Sequence, residues 1–538
     1  LFCFVNSSIR CSALPVQHKK TVIRPRIKKP ELDPSVPGNY CPISNLSFIS
    51  KFIERVIHRQ LSAYAESNNL LPSTQSGFRR LHSTETAVVK VYNDIVLAWD
   101  SGMQTALLLL DFSAAFDCVD HALLILVLQT CFGVTSAALD WIRSFLSDRT
   151  YFIKLNDRVS QIYSIKFGVP QGSILGPLLF IFYTANITRI AEQHDIRIHS
   201  YAHDTQLYIH LNMSDLQQAK DKLVSCVRGV QVWCASMRLR LNPSKTELIW
   251  FYRGSRDVHP LSFCSLQLAP DCRIIPVKTV RDLGVILDGA LKMNAHITSV
   301  TRSCFYHLRR IRQVKRCLNE RCLRVLVQAR VISRIYYCNA VLAGLPAVAL
   351  HPLTAVLHAA ARIIKNIDNH DHIAPVLRQL HWLPIPARIT FKLCSLMYNI
   401  LSHAAPDYMT SPTNSCMNQT GRRRLRSASR GDAVILRANR NYGKRAFAVA
   451  GPIAWNSLPA QIRRASTVQT FKSKLKTYLL AARMIAALAF VPIDDLEFAI
   501  DALVDEFTED LMPIIDWFDN YYIGPLNYDG TRRRAMFP

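Results

Sequence analysis

Apolar and polar positions along this 538-residue chain fall into two periods, and they alternate in a definite order. Leu107-Leu108-Leu109-Leu110 is a short apolar run with no helical period, closed by Asp111. It predicts a strand buried on both faces with a carboxylate emerging at its end. Past Asp111-Phe112-Ser113-Ala114-Ala115-Phe116-Asp117 the pattern becomes that of an apolar helix, with Asp120 as its N-cap and Gly133 as its stop. Ile196–Tyr201 and Gln206–His210 alternate like strands around the polar turn Ala202-His203-Asp204-Thr205. Helical periods are read over Phe52–Ala65, Ser83–Trp99, Thr135–Leu146 and Ser214–Met237, and a further strand pair over Tyr151–Leu155 and Ile162–Phe167. Residues 290–345 read as two long helices carrying repeated arginines.

The two carboxylate-bearing segments point to metal chemistry. A carboxylate at a strand end, facing another in a hairpin tip, can hold two divalent ions about 3.5–4 Å apart, the clamp for an in-line phosphoryl transfer. Magnesium demands oxygen ligands, which is why aspartates suit the task. Singly, each signal is weak, since a strand-end aspartate is usually a turn or helix cap.

Order makes the combination specific. Between the segments lies Gly168-Val169-Pro170-Gln171-Gly172-Ser173-Ile174-Leu175-Gly176-Pro177; after them come Leu241-Asn242-Pro243-Ser244-Lys245-Thr246-Glu247 and Asp282-Leu283-Gly284-Val285. Upstream stand Gly38-Asn39-Tyr40-Cys41-Pro42-Ile43-Ser44 and Gln75-Ser76-Gly77-Phe78-Arg79-Arg80. Downstream are Ser333-Arg334-Ile335-Tyr336-Tyr337-Cys338-Asn339-Ala340, His381-Trp382-Leu383-Pro384-Ile385 and Ala454-Trp455-Asn456-Ser457-Leu458-Pro459. Over roughly residues 22–480 the chain resembles the reverse transcriptase of LINE-type non-LTR retrotransposons, of the jockey-like group.

The resemblance implies an α+β fold: a right-handed fingers–palm–thumb polymerase with an antiparallel palm sheet, followed by a helical C-terminal extension. It assigns fingers to 22–105, palm to 106–260, primer grip and thumb to 261–345, and the helical region to 346–480, with Val280–Val285 as the primer-grip hairpin. Residues 1–21 are expected to be an unstructured leader. It implies RNA-directed DNA polymerisation with two Mg2+ ions, Mn2+ substituting, on an RNA template, a DNA primer or target, and deoxynucleotides. Asp111 and Asp204 would be metal ligands and Lys245 the proton donor to pyrophosphate. Phe112 (through its backbone), Phe116, Gln171, Gly172, Arg79 and Arg80 would serve the nucleotide, Phe116 by excluding a ribose 2′-hydroxyl. Arg302, Arg309, Arg310 and Arg312 would contact nucleic acid.

Three positions depart from the family pattern. His203 stands where the second metal-bridging aspartate belongs; a neutral imidazole offers one lone pair and prefers zinc, copper or iron. Cys41 replaces an arginine. Leu81 replaces a glycine, at a turn expected to need positive φ. His203 is therefore expected to reduce activity by orders of magnitude, and a catalytically silent RNA- or duplex-binding remnant is the alternative. A third reading is a non-functional translation product.

The formal charge of +26 fits a protein that grips polyanions. Residues 485–538 hold eleven acidic and three basic residues, so the rest carries +34. Fifteen cysteines without CxxC spacing suit reduced thiols, with the nucleus and cytoplasm as the expected location. No uninterrupted apolar run of membrane-spanning length is read, so no membrane partner is expected. The oligomeric state is left open. Gly421 to Arg430 is basic, either a loop, an RNA contact or an import signal. The acidic tail 481–538, with Phe490-Val491-Pro492-Ile493-Asp494-Asp495 and Tyr521-Tyr522-Ile523-Gly524, resembles the C-terminus of Mutator-like (MULE) transposases and suggests a fusion or a misjoined gene. The missing initial methionine hints at truncation. The endonuclease that precedes such polymerases finds no room before Lys51, so target-primed synthesis is not expected unaided.

Overall fold

The computed structural model describes residues 2–242 except Ala114, 245–252, 264–269, 272–368, 370–410 and 431–488; for Cys41, Ala269 and residues 481–488 it describes the backbone alone. The basic run 421–430 and residues 489–538 of the acidic tail thus lie outside the described residues. The chain divides into two compact units, Leu1–Val91 with Ser101–Lys292, and Tyr92–Asp100 with Met293–Pro538.

The first unit is built on two sheets. One runs β2 (Tyr40–Asn45), β1 (Lys20–Ile27), β4 (Thr150–Leu155) and β5 (Arg158–Val159), with β6 (Tyr163–Ser164) also on β4. The other is antiparallel, in the order β7 (Arg197–Tyr201), β8 (Asp204–Leu211), β3 (Gln104–Leu110) and β9 (Glu247–Phe251). Two hairpins complete it, β10 (Leu266–Ala269) with β11 (Cys272–Ile274) and β12 (Thr279–Asp282) with β13 (Val285–Asp288).

The leucine run becomes the central strand β3, and Ala106, Leu107 and Leu108 are fully buried. An interior strand is covered on both faces, so it needs no alternation. Ala106, Leu108 and Leu110 join Leu207, Ile209, Leu248 and Trp250 in one core with the helices His121–Phe132, Gly176–Thr184 and Leu216–Ser236. Helix Gly176–Thr184 is buried at every position but Pro177, matching an apolar sequence all round. Helix His121–Phe132 begins and ends as the sequence predicts. The Asp120 carboxylate accepts from Leu123 N at 3.0 Å, and Gly133 closes the helix at φ +63°.

The expected leader is a correction. Phe2–Arg10 is a helix, Val5 and Leu14 are buried, and Trp141 Nε1 donates to Ser8 Oγ at 3.1 Å. Nine residues show too little period to be read, and such a short helix is held by packing rather than by propensity.

The second unit is helical among the described residues. Asn294–Val314 lies along Ala347–Lys365, and Glu320–Val327 continues through a π-turn at Gln328–Ile332 into Ser333–Tyr336. Ile385–Leu401 packs against Phe447–Asn456 and Val468–Leu488. Tyr92–Asp100 belongs here: Asp100 accepts from Asn439 N and Arg440 N at 2.7 Å each, and Asn93 accepts from Ala448 N at 2.9 Å. Ala347–Lys365 is long and apolar enough to cross a membrane by length and composition. Its two histidines and Pro352 broke up the apolar run in the sequence. Leu353, Val356, Leu357, Ala360 and Ala361 on it are buried within the protein.

Candidate active site

Strand register assembles the site. Leu110 faces Thr205 across β3–β8, and Leu109 faces Glu247 across β3–β9. Continued one step along β8 and two along β9, the registers put Asp111 between Asp204 and Lys245. β7 and β8 close at Tyr201–Asp204, which leaves Ala202 and His203 as a two-residue loop. Ala202 takes φ +58°, a left-handed conformation that costs a non-glycine residue about 1 kcal/mol. Asn242 N donates to Asp111 O, Ser113 N donates to Arg240 O, and Phe112 bridges to Leu241, so a second segment pins the turn after β3.

Donor atoms of Asp111, His203 and Asp204 all lie within 4.8 Å of one another. His203 Nε2 is 3.9 Å from Asp204 Oδ1, and its ring meets Phe116 edge-on at 5.8 Å. His203 Nδ1 is buried without a hydrogen-bond partner. Lys245 Nζ donates to Asp111 Oδ2 at 2.9 Å. Burial pushes the Asp204 carboxyl above its usual range, with His203 opposing and Asp111 adding to the shift.

Leu109, Asp111, Asp204, Gln206, Lys245 and Asp282 line one cavity of about 500 Å³. Asp282, on the β12–β13 hairpin, is 2% exposed and accepts a hydrogen bond from Gln206 Nε2. Its Oδ2 and the Gln206 Oε1 have no partner, and burial pushes the carboxyl up to about 7.

The Pro170–Gly176 loop adjoins this site by way of Phe116, whose carbonyl accepts from Val169 N and whose ring meets His203. Glu54, fully buried, accepts from Ser50 Oγ at 2.8 Å, Ser173 Oγ at 2.6 Å, Ile174 N at 2.8 Å and Leu175 N at 3.3 Å. It thereby fixes the N-terminus of helix Gly176–Thr184, where a negative charge is favoured. Gln171 donates to both Asp117 oxygens, at 3.1 and 3.2 Å, and its carbonyl accepts from Ser44 N. Burial raises the Asp117 carboxyl and the Gln171 bond opposes it. Gly172 has φ +113°, and a Cβ there would sit 2.6 Å from Ser44 O.

One of the other expected residues, Arg79, is placed differently. The Phe112 side chain is core, which leaves its backbone for any nucleotide role. Arg79 is bound to Glu66 through two bonds of 2.6 and 2.8 Å and to the Pro72 and Gln75 carbonyls, so its guanidinium serves the fold; Arg80 is exposed. Arg302, Arg309, Arg310 and Arg312 are exposed on Asn294–Val314 in the other unit. Leu81 sits at φ +66°, as the expected turn requires.

Residues 27–287 match the family described as reverse transcriptase (RNA-dependent DNA polymerase). Over that segment, just under half of its length, the chain is similar to the reverse transcriptase family. The chain is 29% identical over 340 residues to a probable RNA-directed DNA polymerase from transposon BS of Drosophila melanogaster, covering 61% of this chain and 35% of that one. It is 28% identical over 309 residues to the RNA-directed DNA polymerase from mobile element jockey of Drosophila funebris, covering 56% and 32%. The chain is thus similar to the polymerases of jockey-like mobile elements, and it spans about a third of the length of these curated relatives. Apo telomerase from Candida tropicalis is a more remote likeness, at 12% identity and a TM-score of 0.38, covering 67% of this chain and 59% of that one. Nothing in these matches supports a transposase-like tail.

The family match makes divalent metal the group to test against this trio. The donors here do not match a magnesium pair, because the trio holds one imidazole nitrogen where a bridging oxygen is needed. Sequence reasoning missed Glu54, Asp117 and Asp282 as site residues. Glu54 was the findable one: it shares the buried stripe of Ser50, Ile57, Leu61 and Ala65, where an acid needs buried partners.

Proposed function

We propose that the chain is the RNA-directed DNA polymerase part of a non-LTR retrotransposon, organised as fingers, palm and thumb, with nucleotidyl transfer weakened by His203. One observation carries the reading: Asp111, position 203 and Asp204 gather at adjoining strand ends with Lys245 beside them. Asp111 and Asp204 offer oxygens to a cation, and Lys245 holds a proton within reach of the reacting phosphates. Phe116 packs against Phe180 in a tilted pair, with ring centroids 4.7 Å apart, and presents a firm wall under a deoxyribose. Gln171 and Gly172, held by Ser44 and through Glu54, lie on the side that would meet the incoming nucleotide. The exposed arginines 302, 309, 310 and 312 suit a duplex backbone, whose binding weakens steeply with salt.

The test is extension of oligo(dT) on poly(rA), in magnesium and in manganese, by the wild type beside His203→Asp. Deoxynucleotide incorporation that rises on reversion supports the reading. Absence of incorporation by both proteins overturns it. His203 and the basic surface favour a second reading, a silent binder of RNA or duplex, and that pattern together with salt-sensitive binding would establish it.

A further inference from the structure

We propose that Asp111, His203 and Asp204 form a site for one transition-metal ion of the manganese-to-zinc class, in place of a magnesium pair. Three observations meet here. Two carboxylates and an imidazole bring donor atoms within 4.8 Å of one another, and a single ion can be reached by all three. With Nδ1 buried against the protein, Nε2 is the imidazole's free donor, on the side of Asp204. Independently of this trio, Asp282 lines the cavity that Asp111 and Asp204 also line, almost fully buried, with Oδ2 lacking a partner.

Ligand chemistry decides the ion. Magnesium holds near-octahedral oxygen ligands and sheds water reluctantly. Imidazole suits zinc, copper, iron and nickel, and affinity at a mixed nitrogen and oxygen site rises from manganese toward copper. Stoichiometry follows from the lone pairs: a carboxylate can span two ions, whereas imidazole Nε2 has one pair and serves one. In the metal-free protein the Lys245 ammonium supplies the positive charge at Asp111, and an incoming dication competes with that ion pair. No covalent step is involved, only exchange of bound water for protein donors.

The choice of position 203 as metal-facing rests on the polymerase reading, but metal binding requires no turnover, so the two can fail separately. Chelator-stripped full chain is titrated with Mn2+ and followed by electron paramagnetic resonance. We expect one Mn2+ per chain, with echo modulation from a directly bound imidazole nitrogen. That nitrogen signature disappears in His203→Asp and His203→Gln, and Asp111→Asn weakens Mn2+ binding by about tenfold or more. Zn2+ displaces the Mn2+ stoichiometrically. Mg2+ displaces it from His203→Asp at a concentration at least about tenfold lower than from the wild type. Two Mn2+ per chain, a missing nitrogen signature, or equal displacement by Mg2+ from both proteins would overturn the proposal. A positive nitrogen signature without primer extension in any metal supports this site and counts against the polymerase reading alone.

Discussion

The two sides of the site differ in how completely their polar groups are satisfied. On the loop side, both Glu54 oxygens are engaged and Gln171 is held by Asp117 and Ser44. On the carboxylate side, His203 Nδ1, Gln206 Oε1 and Asp282 Oδ2 are all buried without partners. A satisfied network is rigid, while orphaned buried atoms each cost about 1–3 kcal/mol and persist where function holds them. The loop is thus scaffold for the reaction, and the hairpin tip is where charge and chemistry are tuned.

The sharpest way to break this contrast is His203→Asp. If the tip limits chemistry, reversion restores charge stabilisation worth several kcal/mol, about a hundredfold or more in magnesium-dependent primer extension. An unchanged rate would move the defect elsewhere. Next in size is Glu54→Ala, which leaves Ser173 and two amides without their acceptor. Denaturant unfolding should show a loss of about 3 kcal/mol, and Glu54→Gln a smaller one. Equal stability would mean the loop is held by other contacts.

Asp282 sharpens the contrast through pH. Its folded value near 7 lies above the ordinary carboxyl range. Ionisation therefore favours unfolding, so its contribution is fully present below that ordinary range and is lost as pH rises through 7. Asp282→Asn, which cannot ionise, should gain thermal stability relative to the wild type between pH 5 and pH 8. A constant difference across that range would show that the carboxyl does not titrate there. The smallest effect is a control away from both sides. Leu81→Gly relieves the φ of +66° and should stabilise by about 1 kcal/mol in thermal melting, leaving primer extension unchanged.

Much of this was legible in the sequence for a simple reason. A strand buried on both faces and an alternating hairpin are local patterns, and their register then brings Asp111 to Asp204. Asp120 and Gly133 declare helix ends through local chemistry. Partners at long range were not legible. Arg79 has the residue type for a triphosphate, but Glu66, thirteen positions earlier, takes its guanidinium. Asp282 was visible inside a motif, yet its buried state depends on Gln206, which lies seventy-six positions away. The helix Phe2–Arg10 is stabilised by residues around Trp141, and nothing within its own nine residues announces that.

Gly77 has a consequence of its own. A methyl group there would fall 2.3 Å from the Ala202 nitrogen, and Ala202 N also donates to Gln75 Oε1 at 3.0 Å. Main chain therefore abuts main chain behind the hairpin tip, with no side chain as spacer. The tip cannot be pushed backward by a bulkier guest, so libraries that randomise position 203 would sample donors at a constant depth. Such variants should differ in ligand chemistry alone, which makes this turn a natural bench for comparing metal donors within one scaffold.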